Sequence, residues 1–292
     1  MPYDIDLFQY NPEVSKVVLT GIGGLGLVGL VSNLVVLKVL FRVYQNKKSF
    51  GLNLTICVAL VDVAASISAL GLVLFRYILD YPEVLESEWY CRTFGFSFML
   101  SMNFSGLLVS MTGLERYLLI NWRSEIRPLY YWAVVAAVAL LSAFIQSRNV
   151  YWNTYILDPT FSYCIPKGDS QSVLEHVLTD VILNVPLFIL SFCYISIFLV
   201  VRRIKATTNR LSDNHISFRA LLVFFIYLVC YLPKVYSTIH KLTFHSYAPL
   251  MTYILLAYGF SLTLIINPFL VLFLNSQVRQ EFLSLIFPTP KR

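Results

Sequence analysis

Seven long apolar stretches constrain the fold of this chain more than any other feature. A helix needs about 20 predominantly apolar residues to cross the hydrocarbon core of a bilayer, and each stretch reaches that length. The composition agrees, because 58% of the residues are hydrophobic, only 13% are charged and the mean hydropathy is +0.70. We therefore predict an all-α membrane protein, a seven-transmembrane helix bundle with spans near 17–42, 50–78, 92–121, 129–148, 176–204, 215–239 and 247–274.

The basic residues predict how these spans are oriented. An outer amino terminus places most of the 22 Lys and Arg residues in the inner loops and the tail, as the positive-inside rule requires. We expect a multi-pass plasma-membrane protein with an extracellular N-terminus over 1–16, a seven-transmembrane domain over 17–274 and a cytoplasmic segment over 275–292. The net charge of +6 then belongs to a face that meets anionic membrane lipid, and no nucleic-acid partner is expected.

The segment after the seventh span is amphipathic. Leu274, Val278, Phe282 and Leu285 recur at helical spacing, and polar residues occupy most positions between them. This pattern is typical of a helix that lies on a membrane surface. We predict a short amphipathic eighth helix.

A charged triplet, Glu115-Arg116-Tyr117, lies at the inner end of the third span. An arginine at mid-bilayer costs at least about 2.5–3.5 kcal/mol, so it settles near a span end or in a protein cavity. We interpret Arg116 as one half of a charged latch that is released on activation. Its partner would be the adjacent Glu115 or Asp213, which precedes Pro233 by roughly 30 Å of helix. A solvated loop position is the alternative for Asp213.

Two of the five cysteines lie on the outer side of the predicted topology. Cys91 opens the third span, and Cys164 lies in the long loop between the fourth and fifth spans. Both would face an oxidising compartment, where a disulfide bond persists. Such a bond would tie the loop over the mouth of the bundle; two unrelated thiols are the alternative.

Together with other spaced signals, these features resemble the rhodopsin-like (class A) G-protein-coupled receptor family over roughly residues 20–285. The signals, from the first span to the seventh, are Ser32-Asn33-x-x-Val36, Ala59-x-x-Asp62, Glu115-Arg116-Tyr117 with Cys91 25 residues before the arginine, Trp132, Pro186 with Tyr194, Cys230-Tyr231-Leu232-Pro233 and Asn267-Pro268. The resemblance implies a receptor that binds an extracellular small-molecule or peptide ligand. It also implies activation of a heterotrimeric G protein by outward movement of the sixth helix.

A polar cluster is expected around Asp62, because a mid-membrane carboxylate needs partners or a cavity. Oxygen-bearing side chains at comparable depth are those of Asn33, Ser101, Ser105, Thr263 and Asn267. The resemblance implies that this set could hold water or a sodium ion, whereas simple hydrogen bonding between helices is the alternative. Leu264 stands where many relatives have a further polar ligand.

Prolines and aromatic replacements mark the fifth, sixth and seventh spans. The helix-interior prolines each remove a hydrogen bond and would act as hinges; they are Pro186, Pro233 and Pro268. Tyr231 and Tyr227 replace the family's usual Trp and Phe, which adds two buried hydroxyls that need partners. Val271 stands where the family normally has a tyrosine, so Tyr194 lacks the phenol that it would meet in an active state.

Ligand chemistry is predicted from the outer half of the bundle. Phe98 occupies the position of the aminergic aspartate and Ser261 that of the opsin lysine, so neither a cationic amine nor retinal is expected. The predicted pocket residues are Phe98, Met99, Met102, Tyr231, Lys234, Tyr253 and Ser261. This mostly apolar wall suits a hydrophobic ligand with an anionic group, for which Lys234 is a point-charge donor. Alternatively, Lys234 pairs with Glu175 or Asp180, or extends toward water.

Two other classes compete with a signalling receptor. A transporter or channel usually shows inverted repeats with midplane charges in matching halves, and neither pattern is visible. A receptor-like scaffold that no longer signals is suggested by Val271. The four histidines are scattered, so we predict no enzyme, no catalytic or metal site and no cofactor apart from the sodium candidate.

Overall fold

A computed structural model describes residues 11–46, 49–78, 88–121, 127–152, 155–160, 162–166, 173–208, 214–244 and 248–287. Within these ranges, seven helices are long and apolar enough to cross a membrane, which confirms the predicted bundle. They are α1 (Pro12–Asn46), α2 (Phe50–Ile78), α3 (Phe96–Asn121), α4 (Pro128–Tyr151), α5 (Val173–Thr208), α6 (Asn214–Phe244) and α7 (Leu250–Leu274). The amphipathic helix α8 (Ser276–Ile286) follows, as predicted.

Polar caps and prolines define where several helices begin. Asn11 caps α1, since its side-chain oxygen accepts hydrogen bonds from the backbone N–H groups of Glu13 and Val14 at 3.1 and 3.3 Å. The helix therefore begins at Pro12, earlier than the apolar pattern near 17 indicated. Asn275 separates α7 from α8 by an extended backbone conformation, and its side chain caps α8.

The segment before α3 is not a regular α-helix. A single turn over Glu88–Tyr90 leads into a π-helical turn over Cys91–Gly95, which continues directly into α3. A π-helical turn is wider than an α-helical one and often marks a functional position. Here it contains Cys91.

The helices form a closed ring. Along the ring, α1 packs against α2 and α7, α2 against α3, α3 against α5, α5 against α6, and α6 against α7, while α4 packs on the outside of α3. The approach of α1 to α7 is close at Gly29, where an added Cβ would lie 2.8 Å from the Cβ of Leu264. Large apolar side chains such as Leu140 and Val229 remain exposed on the outside of the ring, where lipid would cover them.

The two ends of the bundle differ. One end carries a two-stranded antiparallel hairpin, β1 (Tyr155–Leu157) and β2 (Cys164–Pro166), in the connection between α4 and α5; we call it the disulfide end. The opposite end carries Arg116 and α8, and we call it the arginine end. There α8 buries Val278 against α1, and Arg42 lies 3.8 Å from Glu281.

Candidate functional site

A disulfide-linked lid closes the disulfide end. Cys91 and Cys164 are bonded to each other, which confirms the predicted bridge and attaches strand β2 to the start of the third span. Tyr163, next to the bridge, is fully buried and donates a hydrogen bond to the backbone carbonyl of Tyr253 in α7 at 3.4 Å. The lid is therefore held from both sides of the bundle.

Asp158 organises the turn of this lid. Its buried carboxylate accepts hydrogen bonds from the backbone N–H groups of Thr160, Ser162 and Tyr163 at 2.9 to 3.1 Å, and from the Thr160 hydroxyl at 2.6 Å. Burial raises the pKa of Asp158 to about 6, although these hydrogen bonds act in the opposite direction. Sequence reasoning missed this residue; an aspartate two residues before a threonine, with a proline between them, is a signal for such a turn.

A cavity of about 460 Å³ lies between α3, α5, α6 and α7, and we call it the Lys234 cavity. Its walls include three of the predicted pocket residues, Met102, Tyr231 and Lys234. The other wall residues were not predicted; they are Asn103, Gly106, Ser110, Pro186, Leu187, Leu190, Tyr227 and Phe260. Gly106 leaves much of this space open, because an added Cβ would meet only the Tyr231 hydroxyl, at 3.1 Å.

The remaining predicted pocket residues lie elsewhere. Phe98, Met99 and Tyr253 are buried in the apolar core beneath the lid, and Ser261 is fully buried in α7. None of the four lines the Lys234 cavity. The cavity therefore extends deeper into the bundle than the residue pattern indicated. The side chains of Glu175 and Asp180, the suggested partners of Lys234, lie outside the described part of the chain.

A chain of hydrogen bonds crosses the middle of the bundle. The hydroxyl of Ser105 donates to Oδ1 of Asp62 at 2.5 Å, and Nδ2 of Asn267 donates to Oδ2 of Asp62 at 2.7 Å. The hydroxyl of Tyr227 donates to Oδ1 of Asn267. All four side chains are buried, and together they form what we call the polar core. Tyr227 was predicted only as a hydroxyl in need of a partner.

Three other members of the predicted cluster make separate contacts. Asn33 donates to the backbone carbonyls of Gly29 and Leu264 at 2.9 and 2.7 Å. Thr263 donates to a carbonyl of its own helix at 2.6 Å. Ser101 is half-buried, and no contact places it on Asp62. The hydrogen bonds to Asp62 that the structure shows therefore come from two members of the predicted cluster, Ser105 and Asn267.

In this arrangement the polar core is held together by hydrogen bonds among its own side chains. Each oxygen of Asp62 already accepts a hydrogen bond, and Asn267 turns its amide nitrogen, a donor, toward the carboxylate. The opposite amide orientation would set the amide oxygen against a carboxylate oxygen, which is unfavourable unless a cation lies between them. Leu264 adds no oxygen. Among the described residues, Oδ1 of Asn33 and Oγ of Ser66 are buried oxygens without a hydrogen-bond partner, and the sodium site stays a prediction.

Glu115 and Arg116 take different partners at the arginine end. The carboxylate of Glu115 accepts a hydrogen bond from the backbone N–H of Gly51, in the first turn of α2. The guanidinium of Arg116 acts as a hydrogen-bond donor to the hydroxyl of Tyr194 in α5. Adjacent residues of a helix do not face each other, which explains why the two side chains diverge. Asp213, the other suggested latch partner, lies outside the described residues.

A second cavity, of about 510 Å³, opens at the arginine end, and we call it the Arg116 cavity. Arg116, Tyr194, Tyr227, Asn267 and Val271 are among the residues that line it. Tyr117, the third member of the triplet, instead packs its ring against Phe192 with the centroids 5.5 Å apart. Tyr227 thus lines both cavities.

The three predicted hinge prolines lie inside helices. Pro186 is within α5, Pro233 within α6 and Pro268 within α7. The backbone carbonyl of Pro186 accepts a hydrogen bond from the Ser110 hydroxyl of α3 at 2.6 Å. This contact ties the kinked part of α5 to α3 beside the Lys234 cavity.

Comparison with known proteins gives one family. The sequence model described as 7 transmembrane receptor (rhodopsin family) matches residues 32–270, a range that includes the polar core, the Arg116 triplet and both cysteines of the bridge. A comparison with curated protein sequences finds no significant match.

Proposed function

Because the chain belongs to the rhodopsin family of seven-transmembrane receptors, we propose that it binds an extracellular ligand and promotes nucleotide exchange on a heterotrimeric G protein. Members of this family are signalling receptors and not enzymes. Family membership also removes the basis for the transporter or channel alternative. Beyond family membership, the proposal names the ligand chemistry, the orientation of the bundle in the membrane, and the residues that couple the disulfide end to the arginine end.

Orientation follows from charge and from the disulfide bond. The Cys91–Cys164 bridge persists where the compartment is oxidising, which supports an extracellular disulfide end and an extracellular amino terminus. The arginine end then faces the cytoplasm, where basic residues are favoured. The plasma membrane is the location that fits a receptor for an extracellular ligand.

The Lys234 cavity is the proposed ligand site. Its wall is mainly apolar, with Lys234, Asn103 and the Tyr231 hydroxyl as polar groups. A mainly apolar pocket with a few polar groups is typical of a small-molecule site. A ligand with an apolar body and an anionic group fits best, because Lys234 supplies a cationic hydrogen-bond donor in a wall that is otherwise mainly apolar.

The observation that carries the coupling proposal is the exposure of Arg116 to its cavity. Glu115 is bound to the first turn of α2, so Arg116 is directed to Tyr194 and to an open space at the arginine end. A G-protein tail would enter this space, and outward movement of α6 would widen it. Arg116 would then contact the tail directly.

A non-signalling scaffold is the second candidate, and one observation favours it. Val271 lines the Arg116 cavity, where the family normally has a tyrosine that could meet Tyr194. Loss of that contact would leave the open state of the bundle without one of its supports. A receptor of this kind would bind ligand without promoting exchange.

Guanine-nucleotide exchange in membranes from cells that express the chain separates these candidates. Purified heterotrimers of each major G-protein class are added, and exchange is measured with a library of lipophilic carboxylates and phosphates. A receptor gives ligand-dependent exchange with at least one class. Ligand binding in the same membranes without exchange by any class would support the scaffold instead.

A further inference from the structure

The Tyr227 hydroxyl connects a helix that must move with helices that stay. Tyr227 lies in α6 and is 4% exposed. Its hydroxyl donates to Asn267 of α7, whose amide group donates in turn to Asp62 of α2 at 2.7 Å and to Ser105 of α3 at 3.3 Å. One side chain of α6 is thereby linked to three other helices.

These hydrogen bonds run in one direction, from the Tyr227 hydroxyl through the amide of Asn267 to the carboxylate of Asp62. Tyr227 donates to Oδ1 of Asn267, and this fixes the amide with Nδ2 toward Asp62 and Ser105. A buried carboxylate is stabilised by such donors. The Tyr227 hydroxyl therefore fixes the orientation of the amide that donates to Asp62.

Tyr227 also stands between the two cavities. It lines the Lys234 cavity and the Arg116 cavity, and its ring stacks on Tyr231 with the centroids 6.2 Å apart. A ligand in the Lys234 cavity would contact both rings. Any shift of Tyr227 that breaks its bond to Asn267 would change the wall of the Arg116 cavity as well.

We propose that Tyr227 is a positioning residue that holds α6 against the bundle through its bond to Asn267. The signalling part of the proposal rests on the proposed function. Ligand contact with Tyr227 and Tyr231 would break the bond and release α6. The hydroxyl therefore sets the level of activity in the absence of ligand.

The plain alternative is a buried tyrosine whose hydroxyl has found a partner, as buried tyrosines usually do. The two readings differ for Tyr227→Phe. An interhelical side-chain hydrogen bond in a membrane protein is worth about 0.6 kcal/mol on average, which is a factor of about three in an equilibrium constant. If Tyr227 holds α6, ligand-independent nucleotide exchange rises about threefold. If it only fills space, exchange does not rise.

Tyr90→Phe is the matched control. Tyr90 is fully buried, and its hydroxyl donates to the backbone carbonyl of Leu72 in α2 at 3.1 Å, far from α6. Like Tyr227→Phe, the Tyr90→Phe substitution removes a hydrogen bond that a buried tyrosine hydroxyl donates to another element of the bundle. Basal exchange is expected to stay at the wild-type level in Tyr90→Phe. If the wild type promotes ligand-stimulated exchange, an equal rise in both variants, or no rise in Tyr227→Phe, overturns the proposal.

A distance measurement keeps this test separate from the proposed function. Spin labels are introduced as unnatural amino acids at the exposed positions Leu129 in α4 and Phe225 in α6, which leaves the cysteines untouched. Tyr227→Phe should increase the population with the longer distance about threefold. If no variant promotes exchange but this population increases, the proposed function fails and the role of Tyr227 stands; an unchanged distribution refutes that role.

Discussion

The carboxylate of Glu115 occupies the space that a side chain on Gly51 would need. A Cβ added to Gly51 would lie 2.6 Å from Oε2 of Glu115, and the backbone N–H of Gly51 donates to the same carboxylate. The positive end of the α2 dipole favours an anion at this place. Gly51 therefore provides the room in which the carboxylate of Glu115 is held, and Glu115 also interacts electrostatically with Arg116.

A double-mutant cycle measures this relationship. Gly51→Ala should lower the melting temperature of the purified protein, because the new methyl group displaces Glu115. In a Glu115→Ala background the same substitution should be neutral or slightly stabilising, since alanine is the better helix former. Equal effects of Gly51→Ala in both backgrounds would show that the two residues are independent.

Removal of the disulfide bond should abolish the ligand response. Cys91→Ser releases β2 from the start of the third span, so the lid is no longer held over the bundle. Ligand-stimulated exchange and surface expression are measured together. Cys57→Ser, at a free cysteine within a span, should respond as the wild type does. A normal response from Cys91→Ser would refute the role of the lid.

Lys234→Met should weaken anionic ligands selectively. A hydrogen bond to a charged group contributes about 1.5–3 kcal/mol, so the affinity for a lipophilic carboxylate should fall by roughly 10- to 100-fold. The methyl ester of the same ligand should bind both proteins equally well. Lys241→Met, nearer the end of α6, is the charge-matched control. An equal loss for acid and ester would contradict the ligand assignment.

The lid should become less stable as the pH rises from about 4 to about 6. Burial raises the pKa of Asp158 to about 6, above its value of 3.8 in an unfolded chain. The folded lid then binds the proton more tightly, so its stability is greatest below pH 4 and constant above pH 6. Hydrogen exchange at the N–H groups of Thr160, Ser162 and Tyr163, corrected for intrinsic rates, reports this change.

Asp158→Asn should show no such dependence, because it removes the titrating group. Greater protection of the wild-type lid at pH 7 than at pH 4 would contradict the sign of this prediction. It would indicate that the four hydrogen bonds to the carboxylate outweigh the effect of burial.

Features that depend on local sequence were predictable. The seven spans follow from the length of apolar runs, and the cap of α8 follows from Asn275 before an amphipathic pattern. The bridge between Cys91 and Cys164 was also predictable, because the topology puts both cysteines at one end. The start of α1 was less predictable, because the cap at Asn11 extends the helix beyond the apolar run.

Features that depend on approach between helices were not predictable. Asn33 was expected near Asp62, and the pattern gave no sign that close packing at Gly29 brings its amide nitrogen to the carbonyl of Leu264. Glu115 was one of two suggested partners of Arg116; it interacts electrostatically with Arg116, but its hydrogen bond comes from the backbone of Gly51. No local pattern indicates that Tyr227 would bond to Asn267, because their alignment depends on how α6 and α7 are rotated.

The central claim is that Arg116 couples the bundle to a G protein, and Arg116→Ala tests it most directly. Nucleotide exchange is measured in membranes with matched surface expression, with Arg202→Ala as a control that removes an exposed positive charge from α5. The account predicts that ligand-stimulated exchange falls at least about tenfold in Arg116→Ala, which corresponds to about 1.4 kcal/mol. Ligand binding by Arg116→Ala and nucleotide exchange by Arg202→Ala should stay at the wild-type level. Wild-type exchange by Arg116→Ala would contradict the account.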